Sequence, residues 1–309
     1  MPSRFLSAFL GLVSVLYVNA AESRTDAVRE LAAFSVFEKV DLAQLKGDAK
    51  PLRGPAMSNS RFQSVQTCWV SPGTPAQVSA ALRNFNPARY PELKVLLQVG
   101  GSSFAALSSA PDNAAVQWLK DATEKKSPDL QLSREEAGKP GAFAQFWAAI
   151  LSARASAGLS SQPSYDHTGQ NIRPGEEISS LLGQQPKIRK QFGGLAGSKG
   201  DQFWELLDLG GKGVLALGAT NNRGVAEGAL QVADVLYYAS GGFYAALTLY
   251  QLWPVQVDGK PSTLVWRGDM ISSAELAGLA GVERLGSESA MIKDVARAVR
   301  VFRKESGSR

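Results

Sequence analysis

From Phe203 onward, apolar and polar residues alternate with a period of two, whereas most segments before it repeat every three to four residues. "FWELLDLGGKGVLALGAT" reads as a hairpin about Gly210-Gly211, and "QVADVLYYAS" and "FYAALTLYQLWPVQV" as strands flanking Gly241-Gly242. "VDGKPSTLVWRGDMIS" opens on Asp258-Gly259, the strongest two-residue hairpin signal in the chain. Five consecutive strands with short connections predict an antiparallel meander. The tail "SESAMIKDVARAVRVFRKE" then returns to helical spacing. Met291, Ile292, Val295, Val299 and Phe302 fall on one side, with Lys293, Arg297, Arg300 and Lys304 elsewhere.

Upstream, "TDAVRELAAFSVFEKV" reads as a helix capped by Thr25, and "GDAKPLRGPAMSNS" as a polar loop. "RFQSVQTCWV" alternates as a strand, and Thr74-Pro75 then opens a helix through "AQVSAALRNF". "KVLLQVG" reads as a second short strand. The centre is helical: Asn113 caps "AAVQWLKDATEKK", and the apolar positions of "GAFAQFWAAILSARASAG" hold one face until Gly158. "SSQPSYDHTGQNIRPG" reads as a loop, followed by short helices at "EEISSLLG" and "KIRKQFGGLAG".

Between Leu236 and Val255 no charged side chain occurs. From Phe243 the odd positions (Phe243, Ala245, Leu247, Leu249, Gln251, Trp253) form a core-like face. The even ones (Tyr244, Ala246, Thr248, Tyr250, Leu252, Pro254) mix hydroxyls with apolar groups and form a face that the helical segment is expected to cover. Tyr238, Tyr244, Tyr250, Trp253 and, from the central helix, Trp147 are the candidate wall of an apolar ligand site. The same residues also suit a packed core, and the pattern leaves both open.

The first residues differ in kind. Arg4, an uncharged run from Phe5 to Val18 and Val18-Asn19-Ala20 have the form of a secretory signal peptide over residues 1–20, with a retained anchor as the alternative. The expected mature protein, residues 21–309, is exported, periplasmic or extracellular, with no integral membrane segment. One cysteine, Cys68, forbids an internal disulfide and reads as a buried small hydrophobe. The net charge of +5 is mild, and the basic C-terminal helix suits a solvated face rather than a nucleic-acid footprint. A single histidine and a single cysteine leave no zinc cluster, and neither metal nor cofactor is expected. No nucleophile elbow or phosphate loop is present. His167, beside Asp166, with Glu176 nearby in the chain, is the one candidate hydrolytic set, set against a surface-loop reading. The tripeptide in "WRGD" is read as a strand-end bulge or turn at Gly268.

The order of "VDLAQLKGDAKPLRG", "FQSVQTCWV", "TPAQVSAALRNF" and "ARYPEL", with the later meander and closing helix, resembles the START-like, helix-grip (SRPBCC-type) proteins over residues 38–95 and 203–304. The resemblance implies an apolar ligand held between sheet and helix and transfers no individual ligand residue. The fold expected is α+β: an antiparallel β-meander sheet wrapping a C-terminal amphipathic helix, as a single domain with a helical insertion at about 104–200. The function expected is non-catalytic binding of an apolar, lipid-like or amphipathic small molecule. The alternatives are an exported hydrolase and an envelope protein-interaction module.

Overall fold

The computed structural model describes residues 26–307, so the expected leader over residues 1–20 and the expected cap at Thr25 lie outside the described residues. Its centre is an antiparallel sheet of eight strands in the order β1-β2-β10-β9-β8-β7-β6-β3. The meander runs through β6 (Asp201–Leu209), β7 (Lys212–Gly224), β8 (Leu230–Ala239), β9 (Ala245–Val257) and β10 (Lys260–Ser272). Its tightest corners are Gly210-Gly211 and Asp258-Gly259. All four residues have positive φ, as a two-residue hairpin turn matching the strand twist requires. At one margin, β2 (Phe62–Pro72) joins β10 in unbroken register from Ser262 opposite Pro72 to Ser272 opposite Phe62. At the other, β3 (Val95–Gly100) pairs with β6.

Two elements were hidden in stretches that read as loop. β1 (Lys50–Arg53) pairs with β2 at the sheet edge, where Pro51 is tolerated because an edge strand leaves one row of amides unpaired. The "SYDHTGQNI" segment folds into a hairpin of β4 (Tyr165–His167) and β5 (Gln170–Ile172), turning on Thr168-Gly169. Strands of three residues are too short to show alternation, but Tyr165 and Ile172 are both buried.

The two faces of the large sheet carry different loads. One bears α1 (residues 26–34), α2 (Leu42–Gly47) and the helical stretch between β3 and β6. That stretch includes α4 (Ala114–Glu124), α5 (Arg134–Ala137), α6 (Phe143–Ala157), α7 (Pro174–Gly183) and α8 (Pro186–Ala196). The expected capping residue Asn113 does accept from Val116 N at 2.9 Å, and Gly158 ends α6 with φ of 69°. This face holds the largest core cluster, which includes Trp147, Trp204, Trp266, Phe192 and Cys68. The helical stretch is moored to the sheet by Arg154. This residue is fully buried, pairs with Glu136 at 2.6 Å and lies with its guanidinium 3.9 Å from the centre of the Tyr238 ring. The ion pair ties α5 to α6, and the contact of the guanidinium with the Tyr238 ring in β8 joins both helices to the sheet.

The opposite face carries α3 (Pro75–Asn84) and α10 (Gly281–Gly307), the single turn α9 (Ala274–Ala277) leading from β10 into α10. Thr74 and Gln77 form a reciprocal cap at the start of α3. α10 lays Val295, Val299 and Phe302 against Val65, Trp69 and Tyr250, and Phe302 meets Trp69 and Phe85 edge-on. Sheet and closing helix therefore take the expected α+β arrangement.

The assignment of the β9 faces needs correction. The odd residues from Ala245 do belong to the larger core, but it is this face that the helical stretch covers. The even ones, Ala246, Thr248 and Tyr250, face the side of α3 and α10. Alternation fails between Tyr244 and Ala245, which both join the larger core, because regular β9 begins only at Ala245. Gly268 is likewise neither bulge nor turn. It sits mid-strand in β10, opposite Gln66 and Leu249, and a Cβ there would lie 2.5 Å from the Trp266 ring. Glycine is required because the indole folds over it. Among the described residues, no helix is long and apolar enough to cross a membrane.

Candidate functional site

α3 and α10 cover only part of their face of the sheet. The uncovered part is a cavity of about 1030 Å³, bounded by the end of α3, the turns at Pro87–Arg89 and Pro91–Leu93, and the Asp294–Phe302 stretch of α10. Its apolar walls include Trp69, Leu82, Phe85, Phe203, Leu236 and Phe302. They have the mixed aromatic and aliphatic character of sites that enclose small molecules.

The floor is polar. Strand register brings Thr220, Asp234, Thr248 and Asp269 into one row across β7, β8, β9 and β10, each opposite the next. Thr220 donates to Asp234 at 2.7 Å and Thr248 to Asp269 at 3.1 Å. Arg267 grips Asp269 through Nε at 2.8 Å and Nη2 at 2.6 Å, and its guanidinium stands 5.6 Å from the Tyr250 ring centre. Towards the β3 margin, Gln98 donates to Glu205 at 2.8 Å. Withdrawal from water pushes the Glu205 carboxyl from 4.5 up to about 7, with the Gln98 hydrogen bond working against the rise and Asp234 adding to it. Burial also raises Asp234, partly offset by the Thr220 hydrogen bond and by Arg267. Burial by itself opposes the charge on Arg267, but the facing Asp269 and Tyr250 more than reverse that and hold the guanidinium protonated. The Tyr250 phenol is raised by burial.

Of the aromatic residues put forward as a ligand wall, Tyr250 lines this cavity. The other four lie in the larger core across the sheet. There, Tyr238 donates to Gln131 O at 3.0 Å, Trp147 to Thr123 Oγ1 at 2.8 Å and Trp253 to Glu30 at 2.7 Å, while Tyr244 contacts His167 at 2.9 Å. The hydrolytic candidates are not brought together. His167 Nδ1 faces Tyr244, Asp166 accepts from Asn171 at 2.9 Å and Glu176 from Arg173 at 3.0 Å. Asp166 and His167 are successive strand residues, so their side chains leave opposite faces of the hairpin. Burial lowers the His167 pKa. Among the described residues, no three of His, Cys, Asp or Glu converge as a metal-ligand set, and Cys68 is buried, its thiol pushed up by desolvation.

The polar floor was missed from sequence. Its signal was an acid set among apolar residues, Glu205 in "FWELL" and Asp234 in "QVADVLYY", with Asp269 beside Arg267 in "LVWRGDMIS". Only register shows that these share one face.

A strand and Pro-initiated helix, a meander and a closing helix that packs on the sheet make this an α+β chain with the layout of helix-grip proteins. Among solved structures it is similar to a START superfamily protein from Mycobacterium smegmatis, at 19% identity and a TM-score of 0.22 over 32% of this chain. The chain spans 63% of that protein, less than two-thirds of its length. It is also similar to Ara h 8.0201, at 10% identity and a TM-score of 0.28, over 80% of this chain and 99% of that one. No family model matches the sequence, and no curated protein does. The description of the fold accordingly stands on the chain's own strand order and on the seat of α10.

Proposed function

We propose that this is an exported, non-catalytic protein that binds an apolar or amphipathic small molecule in the cavity between the sheet and α10. The observation that carries the reading is the cavity itself: about 1030 Å³ with aromatic and aliphatic walls and a few fixed polar groups on one side. Export rests on the N-terminal sequence, and the absence of catalysis on the position of the single histidine, which lies across the sheet from the cavity.

The test is binding of a neutral fluorophore, N-phenyl-1-naphthylamine, to the purified protein and to Ala246→Trp, which places an indole in the cavity. Saturable binding that the substitution abolishes supports the reading. Absence of binding, or binding indifferent to the indole, removes it. Mass spectrometry of material co-purifying from the native envelope fraction would then identify the occupant.

A further inference from the structure

The charges around the cavity do not balance in the same way at its mouth and on its floor. At the mouth, Arg297 lies 2.8 Å from Asp294, Arg89 3.9 Å from Glu305 and Lys94 4.0 Å from Asp208. On the floor, Arg267 is taken up by Asp269. Arg83, Glu92 and Asp201 line the exposed rim, and Asp234 and Glu205 remain on the floor. Each accepts one hydrogen bond from a neutral neighbour, Thr220 or Gln98, and among the described residues neither forms a salt bridge. A carboxylate in a partly dehydrated site is costly unless it is fully compensated, and acids perturbed in this way concentrate at functional sites. Withdrawal from water raises both acids, and at Asp234 the nearby Arg267 offsets only part of the rise. Around them the cavity is apolar, with Phe203, Leu236 and Ala246 beside the acids and Val299 and Phe302 over the far end.

We infer that the occupant of this cavity is an amphiphile with a protonated amine at one end, the ammonium set against Asp234, with Glu205 adding negative potential from two strands away, and the hydrocarbon body along the apolar wall. This rests on the cavity being a binding site, as proposed above. An ammonium supplies both the missing charge and donors for the carboxylate oxygens that no neighbour uses. A carboxylate head would meet two like charges there and would have to compete with Asp269 for Arg267.

The experiment is displacement of N-phenyl-1-naphthylamine from the full chain at pH 7.5 by decylammonium, decanol and decanoate, which share one tail. Decylammonium should displace the dye at about a tenfold lower concentration than decanol, with decanoate weakest. In Asp234→Asn combined with Glu205→Gln, the three should converge to within about twofold. Equal or better displacement by decanol or decanoate from the native protein overturns the inference, as does a preference that the double substitution leaves unchanged. If the dye binds and Ala246→Trp blocks it while no head-group preference is seen, this inference alone falls. If the dye does not bind, or ignores Ala246→Trp, the binding reading falls with it.

Discussion

Replacing Glu136 tests whether a buried ion pair holds the Arg154 guanidinium in place where the helical stretch meets the sheet. The Glu136 and Arg154 side chains are 5% and 0% exposed, with 2.6 Å between Oε2 and Nη2. At that separation, an effective dielectric constant of about 20 gives an attraction of roughly 6 kcal/mol, most of which offsets the dehydration of the two charges. The pair therefore adds little net stability relative to an apolar pair, but loss of one member strands the other. Arg154 would keep Pro163 O at 3.2 Å and the Tyr238 ring, neither of which neutralises it. Glu136→Gln, which retains an oxygen for the capping bond from Ser133 N at 2.8 Å, should cost about 3 kcal/mol. Glu136→Ala also loses that cap and should cost about 1 kcal/mol more. Glu136→Leu with Arg154→Met, which removes both charges, should recover most of the loss. Urea denaturation followed by tryptophan fluorescence measures all three, since Trp147 and Trp204 lie in this core. Single substitutions within 1 kcal/mol of the parent, or a double variant no better than Glu136→Ala, would refute the reasoning.

Two further outcomes concern protons. Glu205 holds its proton to about pH 7 in the fold but releases it near 4.5 when unfolded, so this group's contribution to stability declines as pH rises from about 4.5 to about 7. Gln98 and Asp234 face it from β3 and β8, and Glu205→Gln should remove that part of the slope. Urea midpoints of the two proteins that stay parallel across this interval would contradict it. His167, the single histidine, gives one unambiguous imidazole Hε1 signal by NMR, and its midpoint should fall below 6.5, because burial outweighs the opposing pull of Asp129. Its share of stability is present above pH 6.5 and is lost as pH falls through the folded midpoint. A midpoint at or above 6.5 would mean that the ring is solvated.

The parts of the fold legible in sequence were those in which one local rule acts over many residues. The meander announced itself through alternation and glycine turns, the closing helix through its Val295, Val299, Phe302 stripe, and α3 through Thr74-Pro75. β1 and the β4-β5 hairpin escaped because strands of four and three residues rely on neighbours rather than on their own pattern. The site was less legible for a different reason. The aromatic residues of "LYYASGGFYAALTLYQLWPV" drew attention to the strand, yet aromaticity alone does not distinguish its two faces, and the irregular start at Tyr244 defeats counting. Thr220, Asp234, Thr248 and Asp269 are spread over 50 residues of chain and become neighbours only when four strands are in register.

The seat of β2 bears on how the chain is made. Pro72 lies opposite Ser262 and Phe62 opposite Ser272, so each pairing joins residues 190 to 210 apart. A polypeptide emerging amino end first thus exposes β2, which in the finished protein is covered on both sides along nearly its whole length, long before β10 exists. Through most of synthesis β2 has only the short β1 as a strand partner. A chaperone that shields residues 62–72 until the carboxyl end arrives would keep this edge from pairing with another chain.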